Sequence, residues 1–250
     1  MDFEHVKAVF EEYLNGYDRE NDKVKLKIVH TYGVIRCSEE IGRRMGLQAE
    51  DMELAKLIAL LHDIGRFEQL KRFNSFEADT MDHATYGVQV LFEEGMIRQF
   101  IEEDTWDDVI RTAIAKHSDY ELTGITDERT LLHARLIRDA DKLDNCRVKL
   151  EDAMETLLDL SADEVGKYAI SPKVREDAFA GKCICSKDRR TPMDYWVSYV
   201  AYFYDLNFRE TLDIVAEEQY VKRIIGRVPY TNEQTKKTME ELEAMAEDGV

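Results

Sequence analysis

Leu57-Ile58-Ala59-Leu60-Leu61-His62-Asp63-Ile64-Gly65-Arg66-Phe67 is the stretch around which the chain is organised. An apolar run delivers an adjacent histidine and aspartate, a glycine follows, and an arginine comes next. Residues 50–63 carry helical spacing, with Met52, Ala55, Ile58, Ala59 and His62 along one stripe. Gly65 is predicted to close this helix as a left-handed cap. His62 and Asp63 then stand in the last turn, beside irregular backbone where a cleft can open. Taken alone, the pair reads either as two metal-ligand side chains or as a capping histidine beside a surface aspartate.

Working outward, residues 22–45 form a second helical pattern. Leu26, His30, Gly33, Val34, Cys37 and Ile41 share one face, so His30 lies inside a buried stripe. Gly46 is expected to end it. Residues 81–95 place His83, Gly87, Val90, Leu91 and Glu94 on one line. Thr105-Trp106-Asp107-Asp108 resembles a capping box with Asp for Glu, opening a helix that carries Trp106, Ile110, Ala113 and His117. Residues 128–160 read as one long or broken helix in which Ile137, Asp141, Asp144 and Val148 share a face. Two carboxylates on a core face each need a metal, a cation or several hydrogen bonds. A histidine on an apolar face is, by itself, more often a satisfied core residue.

The remaining segments carry less chemistry. Residues 2–15 read as an amphipathic helix with His5 on its surface side, and 66–80 as a loop or short helices. His133 reads as structural, and Cys183 and Cys185 as two free thiols in an irregular stretch. Residues 192–225 form an aromatic-rich helical region, with Trp196, Val200, Phe203 and Asn207 on one face and Tyr195, Tyr199 and Tyr202 on another. Residues 231–248 read as a polar surface helix.

With three prolines and twelve glycines in 250 residues, composition favours helices over a sandwich or barrel. A net charge of −18 argues against a nucleic-acid partner, which calls for a basic footprint. No run reaches the ~18 apolar residues of a membrane span. The acidic start Met1-Asp2-Phe3-Glu4 is unlike a signal peptide, and four cysteines make no disulfide framework. The expectation is a cytoplasmic protein without a membrane or nucleic-acid partner, with monomer and homodimer both open.

Of six histidines, four fall on inward stripes or at their ends. Together with the carboxylates they make a set of six: His30, His62, Asp63, His83, His117 and Asp141. Imidazole and carboxylate suit Mn, Fe and Zn. Six ligands exceed the need of one four-coordinate ion, so two divalent ions are expected, Mn or Fe ahead of Zn, Mg, Ni and Co. His30, His62, Asp63 and Asp141 would take one ion and His83, His117 and Asp63 the other. Asp63 would bridge them, with a hydroxide between.

This order of residues resembles the HD-domain superfamily of metal-dependent phosphohydrolases, carried by His30, the pair His62-Asp63, and Asp141 in Arg-Asp-Ala-Asp-Lys-Leu-Asp-Asn. His83 and His117 add the extra ligands of its binuclear branch. The resemblance implies an all-α helical bundle and hydrolysis of a phosphomonoester or phosphodiester of a small, phosphorylated, nucleotide-class substrate. The chain is expected to be a single all-α domain over 1–250, with an HD core at about 22–160 and helical additions at about 161–250. It departs from the cyclic-dinucleotide branch, having no Gly-Tyr-Pro and Arg66 where a lysine is common. It departs from the alarmone branch, having Arg66-Phe67 where a Glu-Asp pair is common.

Asp63 and Arg66 are the candidate catalytic residues. A guanidinium can grip two phosphate oxygens, which makes Arg66 the first candidate for the substrate phosphate. Arg138, Lys142 and Asn145 are further substrate-binding candidates, and Asp144 a candidate acceptor for a ligating imidazole. The competing functions are a diiron oxygenase built on the same ligands and a non-catalytic metal-binding module.

Overall fold

The apolar run becomes a helix buried on every side. In the computed structural model, which describes residues 2–77 and 79–249, α1 spans Phe3–Leu14, α2 spans Asp22–Met45 and α3 spans Ala49–Leu61. Leu54, Leu57, Ile58, Ala59, Leu60 and Leu61 are all buried. A helix apolar around its whole circumference needs neighbours around its whole circumference. α3 finds them in α1, α2 and α7 (Asp107–Lys116). Each leucine or isoleucine so buried contributes about 1.5–3 kcal/mol.

Between these lie α4 (Ile64–Phe73), α5 (His83–Val88), a π-helical turn (Gln89–Glu93) and α6 (Ile97–Phe100); α8 (Glu128–Glu151) follows α7. No strand occurs among the described residues, and the architecture is all-α. The chain divides into two compact units, Met1–Asp141 and Lys142–Val250, the division falling within α8.

Local chemistry sets the ends of α2. Asn21 caps its start, its side chain accepting from the amides of Lys23 and Val24. Gly46 ends it in the left-handed conformation, at φ 73°.

Gly65 does different work from the predicted cap. It stands inside α4, and a Cβ built on it would lie 2.2 Å from His83 O and 2.7 Å from Gly87 N. The glycine is required because α4 and α5 cross there backbone to backbone. The chain turns at Asp63 instead, with φ −106° and ψ 19°.

Two other local readings change. The capping box at Thr105 does not form: Trp106 precedes α7 without a side-chain cap. Asp107 pairs with Arg98, while the Trp106 ring lies 3.8 Å under the Arg129 guanidinium. Glu94 is exposed because the π-helical turn rotates the helix before it.

In the second unit the aromatic region is broken into α12 (Pro192–Val200), a 3-10 turn (Ala201–Asp205), α13 (Arg209–Glu217) and α14 (Tyr220–Ile225), leaving Asn207 exposed. Before them come α9 (Met154–Leu158), α10 (Ala162–Val165) and α11 (Pro172–Phe179), and after them α15 (Glu233–Gly249). The buried Asp194 carboxylate ties α11 to α12, accepting from Ser171 N and Oγ, Arg190 N and Thr191 N at 2.6–3.0 Å. α15 is not a plain surface helix: Thr235, Thr238, Met239, Leu242 and Ala246 form a buried stripe that packs on α11 and α14.

Gly65→Ala tests the crossing. Alanine would gain about 1 kcal/mol of helix propensity. Overpacking against backbone atoms that cannot swing aside should cost more, about 3 kcal/mol. Urea melts should show net destabilisation of about 2 kcal/mol, and a variant as stable as wild type would disprove the close approach.

Candidate metal centre

Six helices bring their chemistry to one place in the first unit. α2 supplies His30, and His62 follows the last residue of α3. Asp63 precedes α4, His83 opens α5, His117 follows α7, and Asp141 lies on α8. Ligand atoms of His30, His62 and Asp141 lie within 4.8 Å of one another, and so do those of Asp63, His83 and His117. All six residues predicted to hold metal are thus gathered, as two groups of three.

The imidazoles are oriented by the helices that carry them. His62 Nδ1 donates to Ala59 O at 2.7 Å, and His117 Nδ1 donates to Ile114 O at 2.7 Å. With a proton spent on Nδ1 in this way, each ring turns its Nε2 to the interior. Arg66 Nη2 donates to His83 Nε2 at 2.9 Å, so that nitrogen is an acceptor. Yet His83 Nε2 and His117 Nε2 face each other at 3.2 Å, with Asp63 Oδ1 3.2 and 3.6 Å from them. Acceptors converging in this way repel unless a cation stands among them.

Two buried atoms make the same demand. His62 Nε2 and Asp63 Oδ1 have no hydrogen-bond partner, a costly arrangement for buried polar atoms. On the other side, His30 Nε2 lies 3.0 Å from Asp141 Oδ1, and His62 Nε2 lies 3.8 Å from the same oxygen. The donor set of nitrogen and carboxylate oxygen fits a divalent transition ion.

Electrostatics keep these groups in ligand form. Burial pushes His62 down to about 4, against the pull of Asp63 and Asp141. Burial, aided by the Arg66 charge, pushes His83 down to about 3. Burial would raise Asp63, but Lys27, His62 and Arg66 outweigh it and hold the carboxyl well below its usual value. Burial likewise opposes ionisation of Asp141, and the His30 hydrogen bond and neighbouring charges overcome it. Neutral imidazoles and ionised carboxylates are the forms that bind metal.

Lys27 is the residue the sequence reading missed. Its ammonium lies 2.5 Å from Asp63 Oδ2, and the side chain is buried. A signal existed: Val24, Lys27, Thr31, Val34 and Ser38 form a second buried stripe on α2, and a lysine inside such a stripe needs a carboxylate. Gln69 was missed too. Fully buried, it accepts from Arg66 at 2.5 Å and donates to Glu77 O and Thr80 Oγ1, fixing Arg66 against the segment after α4. Arg66 also donates to Phe76 O at 3.3 Å, and its Nε lies 3.6 Å from Asp63 Oδ1.

Other candidates are committed elsewhere. Arg138 is buried and donates to Lys116 O, His117 O and Asp119 O at 2.5–3.3 Å. It therefore satisfies the C-terminal carbonyls of α7 and holds the backbone of His117. Lys142 pairs with Asp205 at 2.8 Å, and Asn145 accepts from Lys149 at 3.4 Å, both within the second unit. Asp144 holds the Arg147 guanidinium at 2.8 and 2.9 Å. His133 binds Asp51 at 3.0 Å, and His5 is exposed. None of the four cysteines forms a disulfide, and no described helix is long and apolar enough to cross a membrane.

Comparison with known families adds one finding: the family model described as HD domain matches residues 28–146. No curated protein and no solved structure matches the chain.

The lowered histidines give a pH test. Between pH 6.5 and about 4 the unfolded chain takes up protons at His62 and His83 that the folded chain refuses. The unfolded state binds more protons, so stability rises with pH across this window. Chelator-treated protein should melt at progressively lower temperature as pH falls from 6.5 towards 4. A flat profile would contradict the buried neutral rings.

Proposed function

On the premise that residues 28–146 form an HD domain, we propose that this chain is a metal-dependent phosphohydrolase acting on a phosphomonoester or phosphodiester of a small, nucleotide-class substrate. The observation that carries the reading is the pair of three-residue groups, His30-His62-Asp141 and Asp63-His83-His117, with the unpartnered His62 Nε2 and Asp63 Oδ1 among them. In this reading each group holds one divalent ion, Mn or Fe before Zn. Ions in such a place supply Lewis acidity towards a phosphoryl oxygen and acidify bound water.

The protein's own groups account for the rest. His62 and His117 keep their Nε2 atoms presented because Ala59 O and Ile114 O retain the opposite protons. Arg138 holds the carbonyl end of α7 so that His117 stays in position. Arg66 is the anion contact: its planar fork lies on His83 and Asp63, and its side chain is 14% exposed, within reach of an entering phosphate. The local charge supports an anionic substrate. Asp63 and Asp141 are balanced by Lys27 and Arg66, so divalent ions make the centre positive.

Four imidazoles to two carboxylates also suit iron, which keeps the oxygenase reading alive as an outcome of the test. Protein loaded with Mn²⁺ or Fe²⁺ should release phosphate, or cleave a diester, with at least one member of a nucleotide and dinucleotide panel. Asp63→Ala and His83→Ala should each lower bound metal and cut turnover by more than the ~10–100-fold typical of outer-shell partners. Oxygen uptake with an organophosphonate or polyol, in place of phosphate release, would replace hydrolase by oxygenase. Full metal content and activity in Asp63→Ala would refute the site.

A further inference from the structure

Lys27 is placed where an ion would compete with it. Its Nζ lies 2.5 Å from Asp63 Oδ2. That oxygen is 3.5 Å from His62 Nε2, the buried nitrogen without a hydrogen-bond partner. A cation accepted by His62 therefore meets the oxygen that the ammonium now holds. Two positive charges cannot share one carboxylate oxygen at such range without strong repulsion, so loading the centre displaces the ammonium.

We propose that Lys27 is a second anion contact of this centre, held in reserve on Asp63 and released towards the substrate phosphate when metal binds. The inference rests on the metal-centre reading above and goes beyond it by assigning a residue outside the ligand set. Three features support it. Lys27 is one turn before His30 on α2, so its stem stays anchored beside the ligands whatever its ammonium does. The stem has four rotatable carbons and an ammonium with three donors, which can leave one oxygen for another without moving the helix. The Phe76 ring, 5.9 Å from Nζ, offers a second seat for the cation. Arg66 approaches Asp63 from the Oδ1 side and Lys27 holds Oδ2. The two cations would take different oxygens of one phosphoryl group.

The idea makes opposite demands on two affinities, which a purely structural lysine would not. In the full-length protein, Lys27→Met should bind Mn²⁺ at least as tightly as wild type, because a competitor is gone. The Mn²⁺-loaded variant should bind inorganic phosphate at least tenfold more weakly by calorimetry, with Lys27→Arg recovering most of that loss. Footprinting of wild type with an amine-acetylating reagent needs no variant. Lys27 should be protected without metal, become more reactive with Mn²⁺, and be protected again by phosphate. Unchanged phosphate affinity in Lys27→Met, loss of Mn²⁺ affinity in that variant, or a Lys27 reactivity indifferent to Mn²⁺ would each overturn the proposal. Those results leave the metal centre intact, whereas a wild type that binds no Mn²⁺ removes the centre itself and Lys27's role with it.

Discussion

Much of the first unit depends on one buried carboxylate. Asp63 is almost fully enclosed, and an ion so placed costs several kcal/mol unless its charge is met. The ammonium of Lys27 at 2.5 Å and the guanidinium of Arg66 at 3.6 Å meet it. Both cations must be delivered by helices packed closely enough to exclude water. α2 brings one and α4 the other, while α5 presses against α4 through Gly65 and Gly87, bringing His83 to the same carboxylate. The close crossing and the charged centre are one arrangement seen from two sides.

The histidines show how secondary structure sets chemistry. His62 and His117 each follow a helix, and each spends its Nδ1 proton on a carbonyl three residues back. The same local device thus yields two rings with the same tautomer, their centroids 5.2 Å apart. His133 lies within α8 and turns to Asp51, so burial alone does not make a histidine part of the centre. Arg138 extends the logic outward: by holding the end of α7 it fixes the residue that follows.

Sequence periodicity was a good guide where a feature was local. The bounds of α2 follow from Asn21, the apolar stripe and Gly46. The inward placement of His30, His62, His83 and His117 follows from spacing too. It was a poor guide where a residue's role depends on a distant partner. Gly65 looked like a cap because caps are the commonest reason for a glycine at a helix end, yet its reason is His83 O across the crossing. Thr105 had capping chemistry, but α7 begins after Trp106 and Asp107 is drawn to Arg98. α15 looked polar by composition, while five buried residues, Thr235, Thr238, Met239, Leu242 and Ala246, fall along a single helical stripe.

By itself the sequence determined the helical class and which kinds of atom could gather, because helical period and side-chain chemistry are both properties of a few adjacent residues. Only the tertiary structure decided that Lys27 holds Asp63 across 36 positions and that His30 meets Asp141 across 111. It also decided that Arg138 serves α7 and that Lys142 pairs with Asp205. The physical reason is that a charged side chain takes whichever opposite charge or carbonyl the packing brings within about 3 Å. Packing is settled by contacts among helices far apart in the chain, which no local pattern records.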